Sequence, residues 1–367
     1  MNNNAYVTIE EATVNYFEVS ENELSVKLYK DFPQLRYMGS KYKLLPWIES
    51  ILAKYEFKTM LDAFAGSGSV SYMMKHLGKQ VSTNDFLHFS YILSKSFIEN
   101  SRYTLEKQDI EFLLSPNNKR RHFIRDTFKD VFFDAADLDF LDNISANIIL
   151  IPNEYKRALA YAALFRSCIK KQPRGVFTIC GNLEKYNDGR RDLRLSIKEH
   201  FIEQVDVYNR IVFSNGYENR CLNQDVFTIN TRNNHFDLVY MDPPYVPQAD
   251  DNCYVKRYHF LEGLSCYWEN EEIQHNTKVK KIKKKYSAFS YRKTAIDAFD
   301  NIFKLFKDST LALSYSSNAF PDLNKLIELM SRYKQNIDVY KKKHRYHFGN
   351  HSAVKRSIVD EYIIIGT

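Results

Sequence analysis

Asp242-Pro243-Pro244-Tyr245 sets a carboxylate, a rigid carbonyl-rich corner and an aromatic ring next to one another. The carboxylate accepts hydrogen bonds, while the two prolines donate no N–H and hold the backbone extended. The run before them, Phe236-Asp237-Leu238-Val239-Tyr240-Met241, is largely apolar and contains no glycine or proline, which predicts a short buried strand. The tetrapeptide therefore stands at the C-terminal edge of a strand, the edge at which open α/β sheets bind ligands. A plain strand-ending turn is the alternative, but Pro-Pro followed by an aromatic residue is an uncommon way to end a buried strand.

A second group lies upstream. Thr59-Met60-Leu61-Asp62-Ala63-Phe64-Ala65-Gly66-Ser67-Gly68-Ser69-Val70 predicts a strand, a glycine-rich turn and a helix that ends at Gly78. A second strand, Gln80-Val81-Ser82-Thr83, runs into Asn84-Asp85, where an acid at the strand tip is placed to accept both hydroxyls of a ribose. Strand, glycine turn, helix, strand and acid in that order point to a nucleoside ligand. There is no GxxxxGK[ST], and Gly66-Ser67-Gly68 lacks the third glycine of GxGxxG. A nucleoside without a pyrophosphate, such as S-adenosylmethionine, fits better than NAD. Asp225 follows another apparent strand, where it could contact the adenine of such a cofactor. Nearer the N-terminus, residues 35–43 read as a loop feeding a helix through Leu44, Leu45, Trp47, Ile48, Ile51 and Leu52, with Pro46 in its first turn. That start is either an anion site or a simple turn.

These residues need a sheet to hold them. The chain has 367 residues, 44% of them apolar, enough to bury a sizeable core in one large domain or two ordinary ones. Strand and helix patterns alternate before about residue 100 and after about residue 215. They predict one doubly wound α/β domain over residues 32–100 and 215–367, Rossmann-like in its sheet. Its later part reads as helices over 294–306 and 321–333, a strand over 310–315, and two final strands surrounding the basic segment 341–345. Residues 101–214 differ, because helical stretches there alternate with basic loops. A long helix is expected over 155–169, and the whole reads as a mainly helical insertion. Residues 1–31 read as a leader or an added edge element with no assignable role.

The net charge of +7 is clustered rather than spread. Clusters fall at residues 119–125, 170–174, 190–194, 278–285 and 341–345, a pattern that favours a polyanionic partner. Within the insertion, Arg166, Lys170, Lys171, Arg174, Arg190 and Arg191 sit on or beside loops suited to phosphate contact. A charged helical exterior without such a role is the alternative. Tyr and Phe number 26 each, leaving rings that could stack on bases rather than fill the core. The five cysteines form no CxxC pair, which argues against a zinc site and fits free thiols in a reducing cytosol. No metal is expected. The N-terminus has no secretory-signal pattern and no apolar run approaches a membrane span, so a cytoplasmic protein without a membrane partner is expected.

Taken together these motifs resemble the Dam-type adenine-N6 DNA methyltransferases. The resemblance rests on Arg36-Tyr37-Met38-Gly39-Ser40-Lys41, Phe64-Ala65-Gly66-Ser67-Gly68-Ser69-Val70, Asn84-Asp85, Gln224-Asp225-Val226-Phe227 and Asp242-Pro243-Pro244-Tyr245, in that order. It covers roughly residues 33–366, with the stretch 165–187 similar in type to that family's recognition region. It implies an S-adenosyl-L-methionine site lined by Tyr37, Gly39, Lys41, Phe64, Gly66 and Gly68, with Asp85 on the ribose, Asp225 on the cofactor's adenine, and Asp242 shared with catalysis. It implies a flipped adenine of double-stranded DNA as substrate, with Asp242 and the Pro243 carbonyl on the amine, Pro244 fixing the corner and Tyr245 stacked on the base. A separate restriction endonuclease reading the same site would be the natural partner. About 30 residues before the first motif, and the segment 250–292, have no counterpart that carries a role. Cytosine-N4 or RNA methylation, a DNA-binding module without catalysis, and a fused nuclease are the rival readings; Asp at the first motif position favours adenine.

Overall fold

The protein is described from a computed structural model over residues 6–9, 12–18, 31–181, 188–247, 254–345 and 358–367. Its strands are β1 (Tyr6–Ile9), β2 (Ala12–Glu18), β3 (Thr59–Asp62), β4 (Gln80–Asn84), β5 (Arg220–Leu222), β6 (Leu238–Met241), β7 (Val246–Pro247), β8 (Thr310–Ser316), β9 (Ala319–Phe320), β10 (Asn336–Arg345) and β11 (Ile358–Gly366). Nine of them form one sheet in the order β1-β2-β10-β11-β8-β6-β3-β4-β5, and β7 pairs with β9 alone. The pairings from β8 through β6, β3 and β4 to β5 are all parallel. β11 runs antiparallel between β8 and β10.

Parallel strands are buried on both faces, and their side chains alternate between two cores. Met60, Leu238, Tyr240, Ala312, Ile363 and Ile365 enter one core; Leu61, Val239, Met241, Leu311, Leu313 and Ile364 enter the other. This two-residue period along apolar runs is what makes these stretches strands. The first core is covered by α1 (Leu45–Leu52), α2 (Ser69–His76) and α3 (His88–Ser94). Pro46 lies in the first turn of α1, where no intrahelical N–H is missed.

The helical insertion follows β4 and α3. It comprises α4 (Lys107–Leu114), α5 (Phe123–Thr127), α6 (Ala135–Ile148), α7 (Glu154–Lys171), α8 (Arg191–Arg194) and α9 (Ile197–Arg210). Asn153 caps α7 by accepting from the N–H groups of Tyr155 and Lys156, and Ser196 with Glu199 makes a capping box on α9. The insertion does not close its core alone. Helix α10 (Tyr254–Ser265) supplies Phe260, whose ring packs within 5.0–5.4 Å of Phe128, Phe132 and Phe177. Helices α11 (Arg292–Leu305) and α12 (Leu323–Ser331) cover the second core.

Two expectations are refined. The basic segment 341–345 lies inside β10 rather than between strands, because its backbone stays paired with β11 from Lys341 opposite Tyr362 to Arg345 opposite Ile358. Residues 12–18 form a strand parallel to β10 and flanked by β1 at the sheet edge, with Val14 buried, so part of the presumed leader extends the sheet. Most of residues 1–31, together with 182–187 of the expected recognition stretch, 250–253 of the tyrosine- and lysine-rich segment and Cys253, lie outside the described residues.

The turn from β3 to α2 is left-handed at Gly66 (φ +52°) and Gly68 (φ +72°). A Cβ on Gly68 would stand 2.7 Å from the Phe97 ring. Gly68→Ala is therefore expected to cost about 1–3 kcal/mol of stability. Equilibrium denaturation measures it, and an unchanged midpoint would show that the turn relaxes freely.

Candidate active site

The chain starts its parallel sheet at β3, builds outward through β4 and β5, then returns to the other side of β3 as β6. The strand order reverses there, leaving a crevice at the C-terminal ends of β3 and β6. Asp62, the last residue of β3, and Asp242, the residue after β6, both line a cleft at this point. Gly39, Lys41, Phe64, Gly66, Asp85, Pro244 and Tyr254 line it too.

Asp242 is 19% exposed and pairs with Lys41, itself only 3% exposed, at 3.0 Å. Burial pushes the Asp242 carboxyl upward and the Lys41 ammonium draws it back down. The sequence motif around Gly39 thus delivers a cation to the carboxylate of Asp242-Pro243-Pro244-Tyr245. Pro243 is buried. Tyr245 is half-buried, edge-on to Tyr315 at 5.5 Å, just before the β7–β9 ribbon that fixes the following backbone.

Asp85 has both carboxylate oxygens engaged by backbone. The N–H of Gly66 donates to Oδ2 at 2.8 Å and that of Leu87 to Oδ1 at 2.9 Å. Burial raises its carboxyl to about 7 against the pull of those two donors. The acid at the tip of β4 is therefore a brace for the glycine turn, with one further lone pair on each oxygen for a ligand. Asp62 is 1% exposed, and burial raises it likewise to about 7 while the Ser71 hydroxyl donates to Oδ2 at 2.5 Å. Its Oδ1 has no hydrogen-bond partner.

The glycines are required by contact as well as by φ. Tyr37 stacks on Tyr258 at 5.0 Å, and a Cβ on Gly66 would meet the Tyr37 ring at 3.0 Å. A Cβ on Gly39 would meet the Tyr254 hydroxyl at 2.8 Å. Tyr258 in turn accepts from the Met38 N–H at 2.7 Å, tying the N-terminal motif to α10.

Residues 37–316 match the D12 class N6 adenine-specific DNA methyltransferase family. The chain belongs to that family. It is a site-specific DNA methyltransferase acting on adenine N6. The methyltransferase is 30% identical over 327 residues to the type II methyltransferase M2.HphI of Haemophilus parahaemolyticus, a match covering 86% of this chain and 92% of that protein. It is 24% identical over 355 residues to the modification methylase LlaI of Lactococcus lactis subsp. lactis, and 25% identical over 342 residues to the type II methyltransferase M.FokI of Planomicrobium okeanokoites. Those matches cover 88% and 85% of this chain but only 53% and 50% of the two relatives.

Within this methyltransferase the other expected site residues divide. Gly68 sits at the start of α2, above the Phe97 ring. Asp225 is exposed and caps a short turn by accepting from the Phe227 N–H at 3.0 Å; it does not line the cleft. A ring chain links its neighbourhood to the cleft, since Phe227 stacks on Phe289, which meets Phe64 edge-on. In the insertion, Arg166 bonds Gln204, and Lys171 donates to the carbonyls of Leu193 and Leu195. Lys170 pairs with Asp192 at 2.7 Å, Arg191 with Glu203, and Arg190 with Asp188 and the Pro173 carbonyl. Arg174 is exposed on its loop.

Sequence reasoning missed Asp62 and Tyr254 as cleft residues. Asp62 carried a usable signal, because it ends a predicted strand as Asp242 follows one. Tyr254 carried none; only the docking of α10 brings it to Gly39. Among the described residues no group of three or more His, Cys, Asp or Glu side chains could hold a metal, and no helix is long and apolar enough to cross a membrane.

Proposed function

We propose that the methyl donor is S-adenosyl-L-methionine and that the acceptor is an adenine flipped out of double-stranded DNA. The observation that carries this reading is Asp62 Oδ1, a buried carboxylate oxygen without a partner in the lining of a cleft built on glycines that tolerate no side chain. Such a site suits a cationic, nucleoside-sized ligand. Bound there, the donor supplies an electrophilic methyl group on a sulfonium. Tyr37, Gly39, Lys41, Phe64, Gly66 and Gly68 shape its pocket, Asp85 faces the ribose, and Asp225 reaches the adenine from the rim.

The adenine N6 lone pair is delocalised into the ring and must be localised before it can attack. Asp242 accepts one N6 hydrogen and the Pro243 carbonyl the other, favouring a tetrahedral nitrogen aimed at the methyl. The lone pair would form the new N–C bond as the methyl's bond to sulfur breaks and its electron pair passes to sulfur, leaving a neutral thioether, and the amine would give up one proton by way of Asp242 to solvent. Pro244 keeps the corner rigid, and Tyr245 stacks on the extruded base, offsetting part of the few kcal/mol that extrusion costs.

Residues 101–214 act as the target-recognition domain, set into a catalytic domain of residues 32–100 and 215–367. Arg166, Lys170, Lys171, Arg174, Arg190 and Arg191 serve the DNA side of it. Arg174 and Arg191 are the exposed members placed to touch phosphate directly, while Arg166 and Lys171 shape the fold that presents them. Relatives named type II methyltransferases support a partnership with a separate endonuclease that cuts the same unmethylated site. The enzyme works in the cytoplasm, at the DNA. Incubating the purified protein with methyl-labelled S-adenosyl-L-methionine and mixed genomic DNA is expected to put label into N6-methyladenine. Label in N4-methylcytosine, or none, would sink the reading.

A further inference from the structure

We propose that Glu262 of α10 is a positioning residue for the methyl donor: its carboxylate caps α3 and so fixes Asp85, Phe86 and Leu87 in the wall of the cleft. This rests on reading that cleft as the donor site, and it gives a role to part of the segment 250–292.

Helix α3 begins poorly in its own sequence. Leu87 holds the N-cap position and offers no side-chain acceptor, and the first turn contains no acid. The N–H groups of that turn still need acceptors, since a buried one left unpaired is costly. Glu262, 174 residues after His88, supplies them from another helix. Its Oε1 accepts from the His88 N–H and its Oε2 from the Phe89 N–H, each at 3.1 Å. The Ser265 hydroxyl meets His88 Nδ1 at 2.9 Å and donates to the Glu262 carbonyl at 2.6 Å, adding a second tie between the two helices.

Two carboxylates thus divide the start of α3. Asp85 takes the Leu87 N–H, and Glu262 takes the next two. Asp85, Phe86 and Leu87 line the cleft, directly before the residues that Glu262 holds. If the first turn of α3 frayed, Leu87 would shift and Asp85 Oδ1 would lose its donor. The brace that the other oxygen of Asp85 gives to Gly66 would slacken with it. A cap on α3 is therefore also a hold on the glycine turn.

The contact is built to be stiff. Glu262 is 1% exposed, and a charge at that depth is costly without partners. Lys285 pairs with it, and with Glu271 at 2.9 Å. Three donors therefore converge on one carboxylate. An amide could not replace it, because its NH2 would face a backbone N–H or the ammonium. Helix α10 is also held from its other side. The Arg257 carbonyl accepts from the Phe177 N–H of the insertion at 2.9 Å, and the His259 ring bonds the Phe177 carbonyl at 2.9 Å. Anchored in this way, α10 is the fixed partner and the donor loop is what it steadies.

The test is calorimetric titration of the full-length protein with S-adenosyl-L-methionine. Glu262→Gln is expected to weaken donor binding about ten-fold, while affinity for a mixed-sequence duplex, measured without donor, stays within about two-fold of wild type. An unchanged donor affinity, or equal losses toward both ligands, overturns the inference. Should E262Q fail to fold, H88P takes its place. Proline is tolerated at a first helical position, and the extended backbone of Leu87 suits a following proline. It removes the N–H that Glu262 Oε1 accepts, along with the imidazole ring. H88A loses the ring, keeps the N–H and serves as the reference. H88P is expected to bind the donor at least about three-fold more weakly than H88A, and equal affinities overturn the inference. A wild type that binds no S-adenosyl-L-methionine overturns the donor reading of the cleft and, with it, this role for Glu262.

Discussion

Asp242→Asn is expected to slow single-turnover methyl transfer by about 10²–10³-fold while binding of donor and DNA survives. The reasoning starts from the amine. Its lone pair becomes available only as N6 turns tetrahedral, and an ionised carboxylate accepts the polarised N–H much more strongly than an amide oxygen does. That difference appears in the transition state and not in ground-state binding, so it lowers the rate constant rather than the affinity. Asparagine is the better probe than alanine. It keeps the side-chain volume and leaves an acceptor near Lys41 Nζ, 3.0 Å from Asp242 Oδ1 in the native cleft. Rapid-quench measurement of N6-methyladenine at saturating donor reads the rate. A variant within about three-fold of wild type would remove Asp242 from the reaction.

Lys41→Met is expected to produce the second large effect, with a different signature. Burial already pushes the Asp242 carboxyl upward, and Lys41 is what holds it down. Without the cation the carboxyl rises further, and the ionised form needed to accept the N6 hydrogen becomes scarce near neutral pH. The sign follows directly. Activity is lost as pH falls through the raised carboxyl value and returns as pH rises above it. The acid limb of the pH–rate profile should therefore move to higher pH, with at least about a ten-fold loss at pH 7 that alkaline buffer restores in part. A loss that is uniform in pH would assign Lys41 to donor binding alone.

Much of this architecture is legible in the sequence because it is written in local periods and special backbone residues. The apolar runs around Met60 and Val239 alternate between two cores, as strands covered on both faces must. Gly66 and Gly68 mark a left-handed turn that L side chains resist, and Pro243-Pro244 marks a strand's end. Strand, turn, helix and acid in sequence order mark the glycine turn and Asp85, which line the cleft with Asp242. The family match extends through both halves of that cleft.

Other features depend on which elements meet, and no local period encodes that. Asp85 was legible as an acid at a strand tip; its bond from the Leu87 N–H is local, but the one from the Gly66 N–H follows only when the turn folds back over β4. The basic residues of the insertion look alike in sequence, yet Lys171 spends its ammonium on the ends of neighbouring segments while Arg174 stays exposed. The abundant phenylalanines, open to a role in stacking on bases, largely fill the cores, with Phe260 joining α10 to the insertion.

Asp242-Pro243-Pro244-Tyr245 shows the division most clearly. Residue types and spacing alone determined a rigid acceptor corner at the end of a buried strand, because proline geometry and apolar periodicity act over a few residues. The tertiary structure decided that Lys41 pairs with it, that Asp62 stands across the crevice, and that Tyr254 closes over Gly39. Those partners are far apart in the chain and meet only where the strand order reverses. Long-range electrostatics and steric fit at that point are properties of the assembled sheet.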